Sequence, residues 1–187
     1  MVALQIKVKL RGVSKPPVWR RLALDADTPL DRLHEAILAA FGWAGYHMHA
    51  FESGPDRFGS PDSQLDFIDE RRVSLGELVG GVGDQFLYTY DFGDDWEHEI
   101  TVEDLLDADP EVHYPVLVAA KGACPPEDCG GRWGYAELKE ILADPTHEQH
   151  REMLDWLGLE DASAFDPGTV DAGDSRRSSP SGFSAGS

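Results

Sequence analysis

Apolar residues fall at every second position over residues 4–10, where Leu4, Ile6, Val8 and Leu10 alternate with Gln5, Lys7 and Lys9. That is the pattern of a half-buried strand. Gly12 to Pro17 reads as a loop. Val18, Arg20, Leu22 and Leu24 then alternate against Trp19, Arg21 and Ala23, which predicts a second strand antiparallel to the first. Thr28-Pro29-Leu30-Asp31 has the signature of a helix start, with Thr28 as cap and Pro29 at the first helical position. Leu30, Leu33, Ile37 and Phe41 supply one apolar face, and Gly42 a stop. A strand is expected over residues 47–53, a loop or an irregular edge over 54–64, and a short helix over 75–79. Phe86, Tyr88, Tyr90 and Phe92 share one face of a further strand. Trp96, His98, Ile100 and Val102 share one face of the next, across a turn at Gly93-Asp94-Asp95.

Beyond this hairpin, residues 114–120 read as a strand and 124–134 as a loop punctuated by Pro and Gly. Tyr135, Leu138, Ile141 and Leu142 mark a helix. Thr146 and Gln149 have the spacing of a capping box for a last helix that carries Met153, Leu154 and Leu157 and is closed by Gly158. Hairpins with segregated helices give an α+β class: a mainly antiparallel sheet in a single domain. The expected domain is 1–171, with a tail of 172–187 whose Gly, Ser, Asp and Pro cannot build a core, disordered at least over 178–187.

Charge narrows the function classes. Thirty-five acids against sixteen bases leave −19, which repels polyanions and disfavours nucleic acid as a partner. No stretch approaches the ~18 apolar residues of a membrane span. The first residues alternate and do not form a signal core, so a cytoplasmic location is expected. Two cysteines, Cys124 and Cys129, are too few for a disulfide scaffold. Their x4 spacing is a poor match to structural zinc sites, and packing or turn formation explains that loop at less cost. Six bases and no acid occupy residues 1–24. They either decorate a hairpin face and pair with acids elsewhere, or form a docking surface. By alternation Arg20 points to the core side, where it needs a carboxylate partner, and Arg21 points away.

Three blocks hold the candidate chemistry. The first runs from Leu33-His34 through Phe41-Gly42-Trp43 to His47-Met48-His49-Ala50-Phe51. The second is Tyr90-Asp91-Phe92-Gly93-Asp94-Asp95-Trp96-Glu97-His98, and the third Pro125-Pro126-Glu127-Asp128-Cys129-Gly130-Gly131. An H-x-H pair in a strand presents both imidazoles on one face. His47 and His49, joined by His98, are therefore the candidate metal ligands, for a divalent ion such as zinc. Asp91, Asp94 or Asp95 would supply oxygen. The plainer alternative makes each histidine a core residue bonded to backbone or carboxylate, which suits the apolar neighbours of His49 and His98. Asp91-Phe92-Gly93 has the wording of a kinase magnesium motif but none of its companions. Phe86, Tyr88, Tyr90, Phe92 and Trp96 could stack on nucleic-acid bases, but in an acidic sheet they have the composition of core.

With Pro17-Val18-Trp19-Arg20-Arg21, Tyr114-Pro115 and Gly134-Tyr135, these blocks resemble the plasmid pRiA4b ORF-3-like family in order and spacing, over about residues 4–171. The resemblance implies a compact α+β domain with no established activity, found on plasmids and beside transposase genes, with some members labelled resolvases. The family pattern has a further cysteine soon after the Tyr-Pro pair, where this chain has Val116-Leu117, which argues against a cysteine-rich metal site. A recombinase needs a nucleophile ringed by arginines. In the expected domain only Arg20-Arg21 and Arg71-Arg72 are paired, and no helix-turn-helix follows, so recombination is rejected. The expectation is thus a non-catalytic binding or accessory module associated with plasmids or mobile elements. It would act on another protein, with Arg20, Arg21, Asp91, Asp94 and Trp96 as candidate binding residues. The alternative is a metal-binding protein or metal-assisted hydrolase built on the histidines.

Overall fold

Both alternating segments at the N-terminus are strands, β1 (Val2–Leu10) and β2 (Trp19–Asp25), paired antiparallel with Lys7 opposite Arg21. A computed structural model describes residues 2–168, so the expected boundary at 171 and the tail 172–187 lie outside the described residues. The remaining strands are β3 (His49–Ser53), β4 (Asp56–Gly59), β5 (Ile68–Asp69), β6 (Gln85–Tyr90), β7 (Trp96–Asp107) and β8 (Val116–Lys121). They form one eight-stranded sheet in the order β5-β4-β3-β6-β7-β1-β2-β8, antiparallel except for the short β4–β5 pair. The helices are α1 (Leu30–Phe41), α2 (Leu75–Leu78), α3 (Gly131–Ala143) and α4 (His150–Leu157). The fold is α+β.

The long β7 is the spine of the sheet. It pairs with β6 in the hairpin expected from the aromatic alternation, and its residues from His98 to Asp107 pair with β1, with one irregularity between Gln5 and Ile6. Its inward residues Trp96, His98, Ile100 and Val102 join Ile6, Val8 and Leu10 of β1 and Tyr88 and Tyr90 of β6 in the core. Leu33, Ile37 and Phe41 of α1, Tyr135 and Leu138 of α3, and Leu154 of α4 pack onto the same core. The opposite face carries the charges. Arg21 is ion-paired with Glu103 of β7 and lies over the Trp19 ring, as does Lys7, and Arg11 meets Glu97 at 3.0 Å. Three of the N-terminal bases are thus engaged within the molecule.

Several element ends differ from the pattern-based expectation, each for a visible reason. α1 is capped at Pro29 and not at Thr28. The Thr28 carbonyl accepts from Leu75 N, and Leu30 N donates to the Val73 carbonyl, so Thr28 is spent on a lateral tie to the segment before α2. Residues 56–59, expected as a loop or an irregular edge, form the short strand β4, which pairs with β3 across the Gly54-Pro55 turn. The Thr146–Gln149 capping box is not formed: Thr146 Oγ1 donates to Asp144 Oδ1 at 2.7 Å, and α4 begins at His150. A capping box does form at Ser74 and Glu77, where the Glu77 carboxylate takes both Ser74 N and Ser74 Oγ.

Candidate functional site

Two turns and one loop converge at the end of β6. After Tyr90 the chain leaves the sheet two residues earlier than alternation suggests, because Asp91 adopts a left-handed backbone, φ 58°. Asp91 N still donates to the Met48 carbonyl, and Asp91 Oδ1 accepts from Gly93 N at 2.9 Å and Asp94 N at 3.3 Å. That turn leaves Phe92 exposed and aims Asp91 Oδ2 back over the sheet end. Asp is one of the few residues that tolerates this conformation, since its short side chain bonds the local backbone. Asp95 and Asp128 share it, with φ 57° and 56°. Each of the three therefore reverses the chain at a turn, two of them in the β6–β7 connection and one in the 124–130 loop.

The first block contributes a loop. Residues 43–48 cross over Tyr90, with Gly45 N donating to Tyr90 Oη and the Trp43 indole to the Pro125 carbonyl at 3.0 Å. His47 lies in this loop, ahead of β3, so the H-x-H geometry assumed for a strand does not arise. The third block closes the site. Glu127 Oε1 accepts from Ala44 N and from Tyr90 Oη, and Asp128 Oδ2 accepts from Tyr46 Oη. Asp94 Oδ2 takes Gly130 N, tying the β6–β7 turn to the start of α3.

His47 Nε2 is at the centre of the result. It lies 3.0 Å from Asp128 Oδ1, 3.5 Å from Asp91 Oδ2 and 3.8 Å from Glu127 Oε2. His47 Nε2 and Glu127 Oε2 are buried atoms without a hydrogen-bond partner. Among the described residues, His47, Asp91 and Asp128 are the group of metal-capable side chains whose ligand atoms lie within 4.8 Å of one another. Two ligands on one first-row ion sit at most about 4.4 Å apart, twice a bond of ~2.2 Å. The 4.8 Å span of the group is close to that limit, and Asp128 is its most exposed member. One imidazole and two or three carboxylates suit zinc or manganese.

The surrounding groups are electrostatically consistent. The Tyr46 hydroxyl is pushed up to about 12 by its hydrogen bond to Asp128, then by burial and the neighbouring carboxylates. Tyr90 is also raised, by burial first and by its bond to Glu127. Both therefore stay protonated as donors that orient the carboxylates. Burial, helped by Asp94, pushes the Cys129 thiol up to about 12, which disfavours a thiolate ligand.

The structure divides the sequence's candidates between separate places. His49 sits in β3 with Nε2 at 2.7 Å from the buried Glu70, its ring stacked on His34 of α1 at 3.4 Å. His34 in turn bonds Tyr88 Oη at 2.7 Å. His98 is wholly enclosed by Phe41, Trp43 and Tyr88, with Nδ1 at 3.2 Å from the Tyr88 carbonyl. The two lie on β3 and β7 with β6 between. Arg20 and Trp96 are core, exposed by 0% and 1%, and Arg21 is on the other face of the sheet beside Glu103. Asp91 is in the site and Asp94 braces it. The sequence reading did not assign Glu127, Asp128, Tyr46 or Tyr90 to this site. The available signal was that the third motif block travels with the first two.

Gly134 shows how tightly the third block is folded, since a Cβ there would lie 1.9 Å from the Cys129 carbonyl oxygen. Gly134→Ala must displace the Glu127–Gly130 turn, and the expected loss is about 1–3 kcal/mol in urea unfolding. An unchanged midpoint would show that the turn is looser than described.

The comparisons agree with one another. The family model of the plasmid pRiA4b ORF-3-like protein matches residues 2–174. The uncharacterised protein y4hQ of Sinorhizobium fredii is 46% identical over 160 residues, covering 84% of this chain and 81% of that protein. The crystal structure of a protein of unknown function, MM3350, from Methanosarcina mazei Go1 superposes with a TM-score of 0.80 at 34% identity, over 91% of this chain and 95% of that one. All three motif blocks lie inside the matched span, and the chain belongs to the plasmid pRiA4b ORF-3-like family.

Proposed function

We propose that the protein is a divalent-cation-binding accessory module that works through contacts with another protein, and that His47, Asp91 and Asp128, with Glu127, hold the ion. The observation that carries the reading is the convergence of three carboxylates on His47 Nε2, two of them within 3.5 Å. Carboxylates packed this closely repel one another unless a cation joins them. The ligands come from three separate loops, so an ion would clamp the 43–48 loop, the β6–β7 turn and the 125–131 loop into one face. That is the signature of an ion that fixes a surface. The association with plasmids and mobile elements is supported by the family alone.

Protein purified without a histidine tag and stripped by chelator is titrated with zinc and with manganese, followed by calorimetry and thermal unfolding. At a free-ion concentration a hundred times the Kd, the ion adds about 2.7 kcal/mol to stability. Asp91→Asn, which keeps the Oδ1 acceptor for Gly93 and Asp94, abolishes binding, and His47→Gln weakens it at least tenfold. His49→Gln and His98→Gln leave it unchanged. Binding lost in His49→Gln and retained in Asp91→Asn would move the site and end this assignment. The metal-assisted hydrolase reading has its own readout: turnover of a chromogenic ester or phosphate by the loaded protein, lost in Asp91→Asn. Such turnover would replace the non-catalytic reading with an enzymatic one.

A further inference from the structure

The far edge of the sheet ends on β8, which pairs with β2 on one side and is the last strand in the order. Its sequence, Val116-Leu117-Val118-Ala119-Ala120, is uncharged until Lys121. Soluble proteins commonly protect an edge with charge, because a row of open backbone groups recruits another strand. This edge has a bulge at Val118, where the register with β2 jumps from Ala119 to Leu117, and no charge within the apolar run. Alongside it lies a cleft of about 670 Å³ floored by Leu22, Ala36, Ala40 and Leu117 and walled by Tyr114 and Pro115. α1 lines the cleft through Arg32, Glu35, Ala36, Ala39 and Ala40.

The rim decides the occupant. Arg32 is neutralised by Glu35 at 2.7 Å, while Asp25 and Asp27, which also line the cleft, are paired with no base among the described residues. The chain as a whole carries −19. A second copy would bring the same net charge and repel the first. An extended segment with apolar side chains on one face and bases between them answers every feature. Its backbone would pair with the open side of β8, and a residue opposite Leu117 would enter the cleft, since opposed residues point to the same face. A base at the end of the segment that passes Tyr114 would meet Asp25 and Asp27, which lie beyond the last β2–β8 pair at Ala23 and Val116.

We infer that β8 and the adjoining cleft form a strand-addition site for a basic, apolar-alternating peptide segment of a partner protein. The inference rests on the reading of this protein as a module that works through protein contacts, and it is independent of the cation site. Affinity comes from main-chain pairing and specificity from the cleft and the two carboxylates. Steering by the acidic body makes the association salt-sensitive.

The test uses the full chain and a fluorescent seven-residue peptide of alternating leucine and lysine. The controls are a block-sequence isomer of the same composition and a leucine–glutamate counterpart. Fluorescence polarisation is read at two salt concentrations, with and without zinc. Saturable binding of the alternating lysine peptide alone is expected, weakened at least tenfold by the double variant Asp25→Asn, Asp27→Asn and lost in Leu117→Lys. Circular dichroism confirms that both variants fold, and the exposed carboxamides of the first keep the test valid if the second does not. The inference is overturned by equal binding of the block isomer, by an unchanged Kd in the carboxamide variant, by no binding at all, or by a concentration-dependent dimer dispersed by Leu117→Lys. Loss of peptide binding in a protein that still binds zinc removes this site and leaves the cation reading intact. Loss of zinc binding with peptide binding retained does the reverse.

Discussion

Replacing Arg20 by Met is expected to cost about 3–5 kcal/mol of folding stability, a large share of what a domain of this size possesses. The side chain is completely enclosed. Its Nε donates to the Ala40 carbonyl at 2.7 Å, and Nη1 to the carbonyls of Trp19, Lys121 and Gly122 at 3.0 to 3.2 Å. Its guanidinium carbon stands 4.9 Å from the centre of the Phe41 ring. One planar group therefore joins the last turn of α1, β2 and the exit of β8. Met fills the volume but leaves buried carbonyls without donors, and each unmet acceptor carries its full desolvation cost. Arg20→Lys should recover little, because one ammonium cannot occupy both nitrogen positions that the fork supplies. Guanidinium chloride unfolding measures the loss. A Met variant within 1 kcal/mol of the parent would show that these bonds are replaced by solvent.

Arg20 also shows what the sequence could and could not reveal. Alternation places it on the same face as Val18 and Leu22, and all three are buried. Its partners include carbonyls scattered from residue 40 to residue 122, and no local pattern announces them. The β1–β2 and β6–β7 hairpins are legible because each strand alternates and each partner is next in sequence. The pairing of β7 with β1 is not, since strands with similar alternation offer equivalent partners and only the assembled sheet selects one. The candidate site fails to appear for a related reason. His47 was read as a strand residue because His49 is one, yet the loop that crosses Tyr90 ends only at β3. Alternation places Asp91 inside an aromatic strand that runs on to Phe92, yet its carboxylate accepts from the following amides and turns the chain. Local polar chemistry overrides periodicity at both points. Glu127 and Asp128 arrive from residues far along the chain, from a loop whose Pro and Gly spacing shows that it is a turn but not what the turn faces.

Stability should fall as pH is lowered from about 6.5, beginning well above the range in which the carboxylates titrate, and the buried histidines are the cause. Burial lowers the His98 pKa from 6.5 to about 3, and burial together with the charge of His49 lowers His34 to about 3. In the unfolded chain both titrate near 6.5. Between the two values the unfolded state therefore binds protons that the folded state refuses, and stability rises with pH across that window. Each fully shifted histidine contributes about 1.4 kcal/mol per pH unit, so His98 alone removes about 2–3 kcal/mol between pH 7 and 4.5. His34, at the edge of the core, adds a smaller amount of the same sign. The carboxylates held low by hydrogen bonds, among them Glu77 with Ser74 and Glu103 with Arg21, act lower down. Their contribution is present above the unfolded carboxylate pKa near 4 and is lost only as pH drops through their depressed values. The two effects thus have the same sign but different windows. His98→Phe retains a ring edge-on to Phe41 and Trp43 and removes the titrating group. In that variant the slope of unfolding free energy against pH between 6 and 4.5 should drop by about one proton, about 1.4 kcal/mol per unit. Urea unfolding at four pH values in that interval measures it. A parent protein with no slope there, or a variant with the parent's slope, would mean that His98 accepts its proton without leaving the fold.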